Sequence, residues 1–175
     1  MKQNHRGFTL VELLVVMAIL GICAALATIS LSAVSSARAQ KCATAIDAML
    51  SEAKVAALSK DGNSYLALYE KDGKIYAALH AGGSVEEESV GGQGVTVTYA
   101  AGGVTYSLGG AGAPLYLAFN RETGALRSLR EAAALVSAAA AAAAPEGELT
   151  AITAKKGASC VIKVASATGY HGIGG

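Results

Sequence analysis

Apolar and polar positions predict one long helix at the start of the chain. The run from Leu13 to Val34 carries no formal charge and is mostly apolar on every face of a helix. Apolar positions then keep helical spacing, with polar residues on the other faces, at Ile46, Met49, Leu50, Ala53 and Ala57. The helix is predicted to end near Ser59 to Asn63, where Gly62 suits a left-handed cap.

Beyond Gly62 the pattern changes to short apolar and aromatic segments separated by glycine, which is typical of strands and turns. Four hairpins are predicted, pairing residues 64–70 with 74–80, 95–99 with 104–108, 115–120 with 125–130, and 151–155 with 160–166. A long helix followed by antiparallel pairs indicates an α+β fold, in which the helix packs on an antiparallel sheet. The predicted outline is a lollipop with a globular head at residues 63–175.

An alanine-rich segment, Glu131 to Glu148, interrupts the β pattern of the predicted head. Its seven consecutive alanines, Ala138 to Ala144, have the highest helix propensity, and Pro145 would end a helix there. The segment therefore predicts a short surface helix inserted between hairpins, with a partner-facing or mobile insertion as the alternative. The acidic run from Glu86 to Glu88 is interpreted as a solvated loop.

Composition fits a small membrane-anchored domain better than a soluble enzyme. The chain has 175 residues, of which 53% are hydrophobic and 15% charged, and its formal net charge is +1. Without a basic excess, nothing in the composition suggests nucleic-acid binding. One domain is the default expectation for a chain of this length.

One carboxylate stands out near the start of the apolar run. Between Gly7 and Arg38 the only formal charge is Glu12. A charge at membrane depth costs about 2.5 to 3.5 kcal/mol on insertion scales and usually has a neutralising partner. Cleavage after Gly7 would create one, because the new α-amino group of Phe8 would have a reference pKa of roughly 8. This amine could pair with Glu12 in the same chain or in a neighbouring subunit, where the pair would set the register between packed chains.

The segment Arg6-Gly7-Phe8-Thr9-Leu10-Val11-Glu12 resembles the cleavage and methylation site of type IV pilins and type II secretion pseudopilins. The resemblance implies that a membrane-embedded aspartyl peptidase cuts on the cytoplasmic side after Gly7 and N-methylates Phe8. It also implies that Glu12 is the family's membrane carboxylate, which acts in assembly and registration. An ordinary secretory signal or a plain single-pass anchor is the alternative, but a conventional signal places its cleavage site after the apolar core.

The resemblance also implies a division of the chain and a topology. Residues 1–7 would be the leader peptide, 8–36 the transmembrane and assembly helix, 37–62 its amphipathic continuation, and 63–175 the head with the insertion 131–148. The apolar run is long enough for a bilayer, which takes about 20 residues. The implied location is the bacterial inner membrane, with the amino terminus in the cytoplasm and the head outside it.

Parts of the predicted head resemble the H-type minor pseudopilins and the FimT-like minor pilins. The segments that carry this resemblance are Leu115 to Asn120, which precedes a glycine turn, and Val161 to Val164, which precedes Thr168-Gly169-Tyr170. The resemblance covers part of the carboxyl-terminal region and implies a minor subunit.

No cofactor, metal site or catalytic signature is predicted. His5, His80 and His171 are scattered, and no Cys/His cluster has metal-ligand spacing. The paired glycines lack the context and the lysine of a phosphate loop, and the sequence has no nucleophile elbow. Cys42 and Cys160 are conceivable disulfide partners if the final strand packs beside the helix, with unpaired buried thiols as the alternative.

The sequence therefore predicts a structural, non-enzymatic subunit of a type IV pilus or a type II secretion pseudopilus, with a minor subunit favoured. Its implied partners are the prepilin peptidase and methyltransferase, other pilin or pseudopilin subunits, the inner-membrane assembly platform and the lipid bilayer. Such filaments serve protein secretion, adhesion, motility or DNA uptake, so nucleic acid would be met only indirectly. A major pilin is one alternative, and a membrane-anchored binding module that never polymerises is another.

Overall fold

The structure is a computed structural model that describes residues 9–59, 62–109 and 113–174. The chain divides into two compact units, Met1–Val34 and Ser35–Gly175. Helix α1 spans Leu10–Ser59 and confirms the predicted long amino-terminal helix. Within the described residues, no helix combines the length and the hydropathy that crossing a membrane requires. The transmembrane character predicted for the first half of α1 is therefore not confirmed.

The second unit contains two antiparallel sheets, which confirm the predicted α+β class. The first sheet has the strand order β3-β2-β1-β6, and its strands are β1 (Tyr65–Lys71), β2 (Lys74–Ala81), β3 (Ser84–Gly91) and β6 (Leu115–Leu117). The second sheet has the order β5-β4-β7-β8-β9, and its strands are β4 (Thr96–Ala101), β5 (Val104–Leu108), β7 (Leu149–Lys156), β8 (Ala158–Ala165) and β9 (Tyr170–Gly174). Two short helices, α2 (Leu129–Ala134) and α3 (Ala138–Ala143), lie between β6 and β7 in the chain.

The apolar face predicted for the second part of α1 is buried against both sheets. Ile46, Leu50 and Ala53 are each at most 2% exposed. They belong to one core cluster that also contains Leu66 and Leu68 of β1, Val97 of β4, Ile152 of β7 and Ile162 of β8. Since burying one such large apolar side chain stabilises a fold by about 1.5 to 3 kcal/mol, this face fixes α1 in the second unit.

Three of the four predicted hairpins are confirmed, and glycine turns explain why. β1 pairs with β2, β4 with β5, and β7 with β8, all antiparallel. Asp72 and Gly73 have φ values of 53° and 70°, so both central residues of the first turn are in the left-handed region that a type I′ hairpin turn requires. Asn, Asp and Gly tolerate that region best, which makes such turns readable from the sequence.

The third predicted hairpin, 115–120 with 125–130, is confirmed only next to its turn, where the Asn120 amide donates to the Ala125 carbonyl at 2.7 Å and the Arg127 amide donates to the Ala118 carbonyl at 2.8 Å. After β6 an isolated bridge joins Phe119 to Leu126, and the amide of Leu126 donates a hydrogen bond to the carbonyl of Ser166 at 2.9 Å. Ser128 and Glu131 then form a capping box that starts α2. The pairing therefore ends at Arg127, because the capping box satisfies the first amides of a helix from Ser128 onward.

The interpretation of the acidic run Glu86 to Glu88 as a loop is wrong. These residues lie in strand β3, which pairs with β2 at the edge of the first sheet and is solvent-exposed from Ser84 to Ser89. Charged side chains on an edge strand oppose pairing with a strand of another chain, which explains an acidic run at this position.

The alanine-rich segment forms two short helices rather than one. In α3 no residue is buried, the Ser137 hydroxyl accepts a hydrogen bond from the Ala140 amide, and Ala144 is extended immediately before Pro145. The helix therefore begins at a serine cap and ends where proline excludes a further turn.

Candidate processing and assembly site

The amino-terminal site is partly described. Gly7 and Phe8, the residues predicted for cleavage and N-methylation, lie outside the described residues. Glu12 lies in the first turn of α1 and is exposed. The hydroxyl of Thr9 accepts a hydrogen bond from the Glu12 amide at 3.2 Å, and the Thr9 carbonyl accepts one from the Leu13 amide at 3.2 Å. Thr9 thus caps the helix and begins it two residues after Gly7.

This cap was missed by the sequence reasoning, although a signal for it exists. Thr9 and Glu12 have the Ser/Thr-x-x-Glu spacing of a capping box. A carboxylate in the first turn also interacts favourably with the helix dipole, typically by about 0.3 to 1 kcal/mol. Glu12 therefore has a local stabilising role in addition to any role between chains.

The first turns of α1 present apolar side chains in every direction. Within residues 10–22, the amino-terminal apolar segment, the exposed large side chains range from 45% exposure at Val16 to 80% at Leu10. A helix that is apolar all round needs an apolar surrounding on all sides, such as lipid or other helices. The exposed apolar side chains of this segment surround the helix.

Polar side chains of the second part of α1 contact the turn between β8 and β9. The Lys54 ammonium donates to the carbonyls of Thr168 and Gly169, each at 3.1 Å. The His171 Nδ1 lies 3.2 Å from the Gly169 carbonyl, which can only accept, so Nδ1 is the donor there, and Nε2 lies 2.9 Å from the Ser51 hydroxyl. These bonds attach the last hairpin to the helix.

The structure brings the two predicted disulfide partners close together as free thiols. Cys42 is 1% exposed in the core, and Cys160 on β8 is half-buried and packs against the same core. Burial, and secondarily the nearby Cys160, raises the pKa of the Cys42 thiol to about 11. Their disulfide stays a prediction. Across the described part of the chain, no group of three or more His, Cys, Asp or Glu side chains is arranged to hold a metal ion.

An aromatic groove on the first sheet was not predicted. A cavity of about 450 Å³ is lined by residues that include Tyr65, Tyr69, His80, Glu87 and Tyr116. The rings of Tyr65 and His80 stack with centroids 4.3 Å apart. The Tyr69 hydroxyl donates to the Glu87 carboxylate at 2.6 Å, and this bond raises the pKa of Tyr69 to about 12. These side chains come from four strands. The groove therefore depends on strand pairings that were only partly predicted from the sequence.

Comparison with known proteins identifies the amino-terminal segment. Residues 2–28 match the family described as the prokaryotic N-terminal methylation motif. No curated protein and no solved structure matches the chain. The matched range contains Gly7, Phe8 and Glu12 and extends into α1, and it supports the type IV pilin and pseudopilin superfamily. It carries no information on the H-type resemblance of the head.

Proposed function

We propose that this chain is a pilin-like structural subunit that is cleaved after Gly7, N-methylated on Phe8, and assembled through α1 into a type IV pilus or a type II secretion pseudopilus. The observation that carries the proposal is the methylation motif at residues 2–28. The motif leads into a helix with Glu12 in its first turn and an exposed apolar surface after it. Prepilin peptidase and other filament subunits are the partners that this motif implies.

Glu12 is the residue proposed to register the subunits. No described basic side chain forms an ion pair with Glu12. The α-amino group that cleavage would create on Phe8 is the proposed cation, in the same chain or in a neighbour. In an apolar surrounding such a charge pair is favoured at one axial position, since displacement leaves a charge unpaired.

The amino-terminal apolar segment is proposed to anchor the subunit before assembly and to pack on other subunits afterwards. The inner membrane supplies lipid around residues 10–22 in the first state, and neighbouring helices replace it in the filament, where van der Waals packing drives association. In this proposal the amino terminus is cytoplasmic, the assembly platform extracts the subunit, and the protein has no enzymatic role.

A minor, low-abundance subunit is the favoured form of this proposal. It rests on the resemblance of Leu115–Asn120 and Val161–Val164 to segments of H-type pseudopilins and FimT-like pilins. A minor subunit would prime or tip the filament, whereas a major pilin would form its shaft. The two roles differ in the number of copies per filament.

The test is quantitative mass spectrometry of amino-terminal peptides from native membranes and sheared filaments. We expect a chain that starts at N-methylated Phe8 in both fractions. A chain that starts at Met1 in both would contradict the proposal. A Gly7→Val variant is the matched control, because the bulkier residue should block cleavage and mark the unprocessed state. Abundance relative to other filament subunits then separates a minor subunit from a major one.

A further inference from the structure

A basic cavity lies between α1 and the adjoining ends of β2 and β3. It has a volume of about 690 Å³ and is lined by three cationic side chains, Arg38 and Lys41 from α1 and Lys74 from the start of β2. Ser89 and Gln93 add a hydroxyl and an amide to the lining, and no lining residue is acidic. The cavity therefore offers a concentration of positive charge with neutral hydrogen-bonding groups beside it.

The floor of this basic cavity is built by close packing. Cys42 and Val90 line it and are 1% and 5% exposed. A Cβ at Gly91 would lie 3.0 Å from both the Cys42 sulfur and the Ile75 Cβ, so glycine allows the end of β3 to approach the helix. The spacing between the cations of α1 and Lys74 is thus set by the core beneath them.

Among the described residues, no acidic side chain forms an ion pair with Arg38, Lys41 or Lys74. Lys156 adds a positive charge next to the lining residue Gln93, because its ammonium donates to the Gln93 carbonyl. Uncompensated cations that face one cavity repel each other, and an anion with more than one negative charge relieves that repulsion. Arginine and lysine together are a common phosphate-binding set, since guanidinium binds oxygens in pairs and ammonium acts as a point charge.

We propose that the basic cavity binds a phosphate group, supplied either by a phospholipid headgroup or by free phosphate. The headgroup source rests on the proposed function, in which the run from Leu13 to Val34 lies in the bilayer. Arg38 and Lys41 are the first cations after that run. Basic side chains next to an anchoring helix lie at the level of lipid phosphates, where anionic headgroups attract them.

The experiment uses the full chain in lipid nanodiscs and hydrogen exchange of the peptide that contains residues 89–93. One arm compares discs of phosphatidylglycerol with discs of digalactosyldiacylglycerol, which contains no phosphate. A second arm adds inorganic phosphate to the galactolipid discs, with potassium chloride at equal ionic strength as its reference. A bound phosphate should slow exchange of this segment by about threefold or more, because ligand binding reduces local opening.

Variants that remove one positive charge distinguish a specific phosphate site from general attraction between anions and the basic surface. Lys74→Gln should abolish the protection. Lys71→Gln is the matched control, because Lys71 pairs directly with Lys74 across the hairpin but does not line the cavity. Arg38→Gln tests the same site from α1 if Lys74→Gln disturbs the hairpin.

The outcomes assign the source or overturn the site. Protection in phosphatidylglycerol alone assigns the headgroup, and protection by inorganic phosphate in the galactolipid discs assigns free phosphate. Absence of protection in both arms, or equal loss in Lys74→Gln and Lys71→Gln, overturns the proposal. The amino-terminal peptide of the same sample is read separately, so a Met1 start contradicts the proposed processing and a Phe8 start without protection contradicts the phosphate site alone.

Discussion

The two halves of α1 show how the same helix can be apolar for two different reasons. Leu20 in the first half is 57% exposed, whereas Leu50 in the second half is 1% exposed. Apolar residues surround the helix in the first half but occupy one face in the second. The second half is covered by the chain's own sheets, and the first half needs cover from outside the described structure.

The polar residues of the two halves differ in the same way. The Glu12 side chain in the first half is exposed, and the hydrogen bond to the Thr9 hydroxyl is made by the Glu12 backbone amide. Ser51 and Lys54 in the second half bind the last hairpin. Polar side chains of the second half therefore bind another part of the fold, whereas Glu12 has no ion pair with a described basic side chain.

The largest predicted effect tests the burial difference with one residue type. Leu50→Ala should destabilise the second unit by about 2 to 5 kcal/mol, because it removes apolar contacts and leaves a cavity. Leu20→Ala is the matched control and should change the free energy of unfolding by less than about 0.5 kcal/mol. Urea unfolding of the full chain in detergent measures both. Equal losses of unfolding free energy in the two variants would contradict the difference in burial between Leu50 and Leu20.

The next effect concerns thiol reactivity in the buried half. With a pKa of about 11, Cys42 is far less ionised at pH 8 than an ordinary exposed thiol. Its alkylation by iodoacetamide should be slower by on the order of 100-fold, and its rate should rise about tenfold per pH unit until the pH approaches the pKa. Mass spectrometry under reducing conditions measures the rate, with the half-buried Cys160 as the internal reference. Similar rates at pH 8 would contradict the burial of Cys42.

A smaller effect is expected on assembly when the carboxylate of the first half is removed. Glu12→Ala should reduce incorporation into filaments by about tenfold or more, because a cation loses its partner in an apolar surrounding. Glu12→Gln should have the same effect while retaining a residue suited to the capping box. Immunoblotting of sheared filaments measures incorporation.

The control for Glu12 is the exposed acid of the other half. Glu52→Ala removes a charge from the same helix and should leave incorporation unchanged. Head stability should be unchanged in all three variants. Normal filament entry of Glu12→Ala would exclude the registration role and favour an anchored module that does not polymerise.

The smallest predicted effect tests the attachment of the last hairpin. Lys54→Met keeps most of the side-chain volume but removes the donors to Thr168 and Gly169, so it should cost about 1 kcal/mol. Lys71→Met is the control, since Lys71 is exposed on β1. Thermal unfolding together with exchange of the peptide 166–174 measures the change. Faster exchange that spreads evenly over the second unit would contradict a local attachment.

Much of the fold could be predicted because its signals are local. The helical spacing of Ile46, Leu50 and Ala53 predicted the buried face of α1. The pair Asp72-Gly73 predicted a tight turn because few residues adopt positive φ. The third hairpin is shorter than predicted, because the capping box at Ser128 starts α2 directly after the short pairing.

The features of the candidate site also fall into those that the sequence predicts and those that it does not. The motif around Gly7 and Glu12 was found because its residues are contiguous, whereas the cap at Thr9 was readable but missed. The aromatic groove and the basic cavity could not be predicted from the sequence. Each is lined by residues from several elements, and the order of these elements along the chain does not show which of them lie side by side.

Local residue patterns were enough to predict the methylation motif, the extent of α1 and the glycine turns, because each depends on residues within a few positions of one another. The packing of distant segments was needed to place Arg38 and Lys74 at one cavity, Cys42 near Cys160, and the acidic run in an edge strand. These arrangements depend on the shared apolar core, which brings distant segments together at spacings that local periodicity does not specify.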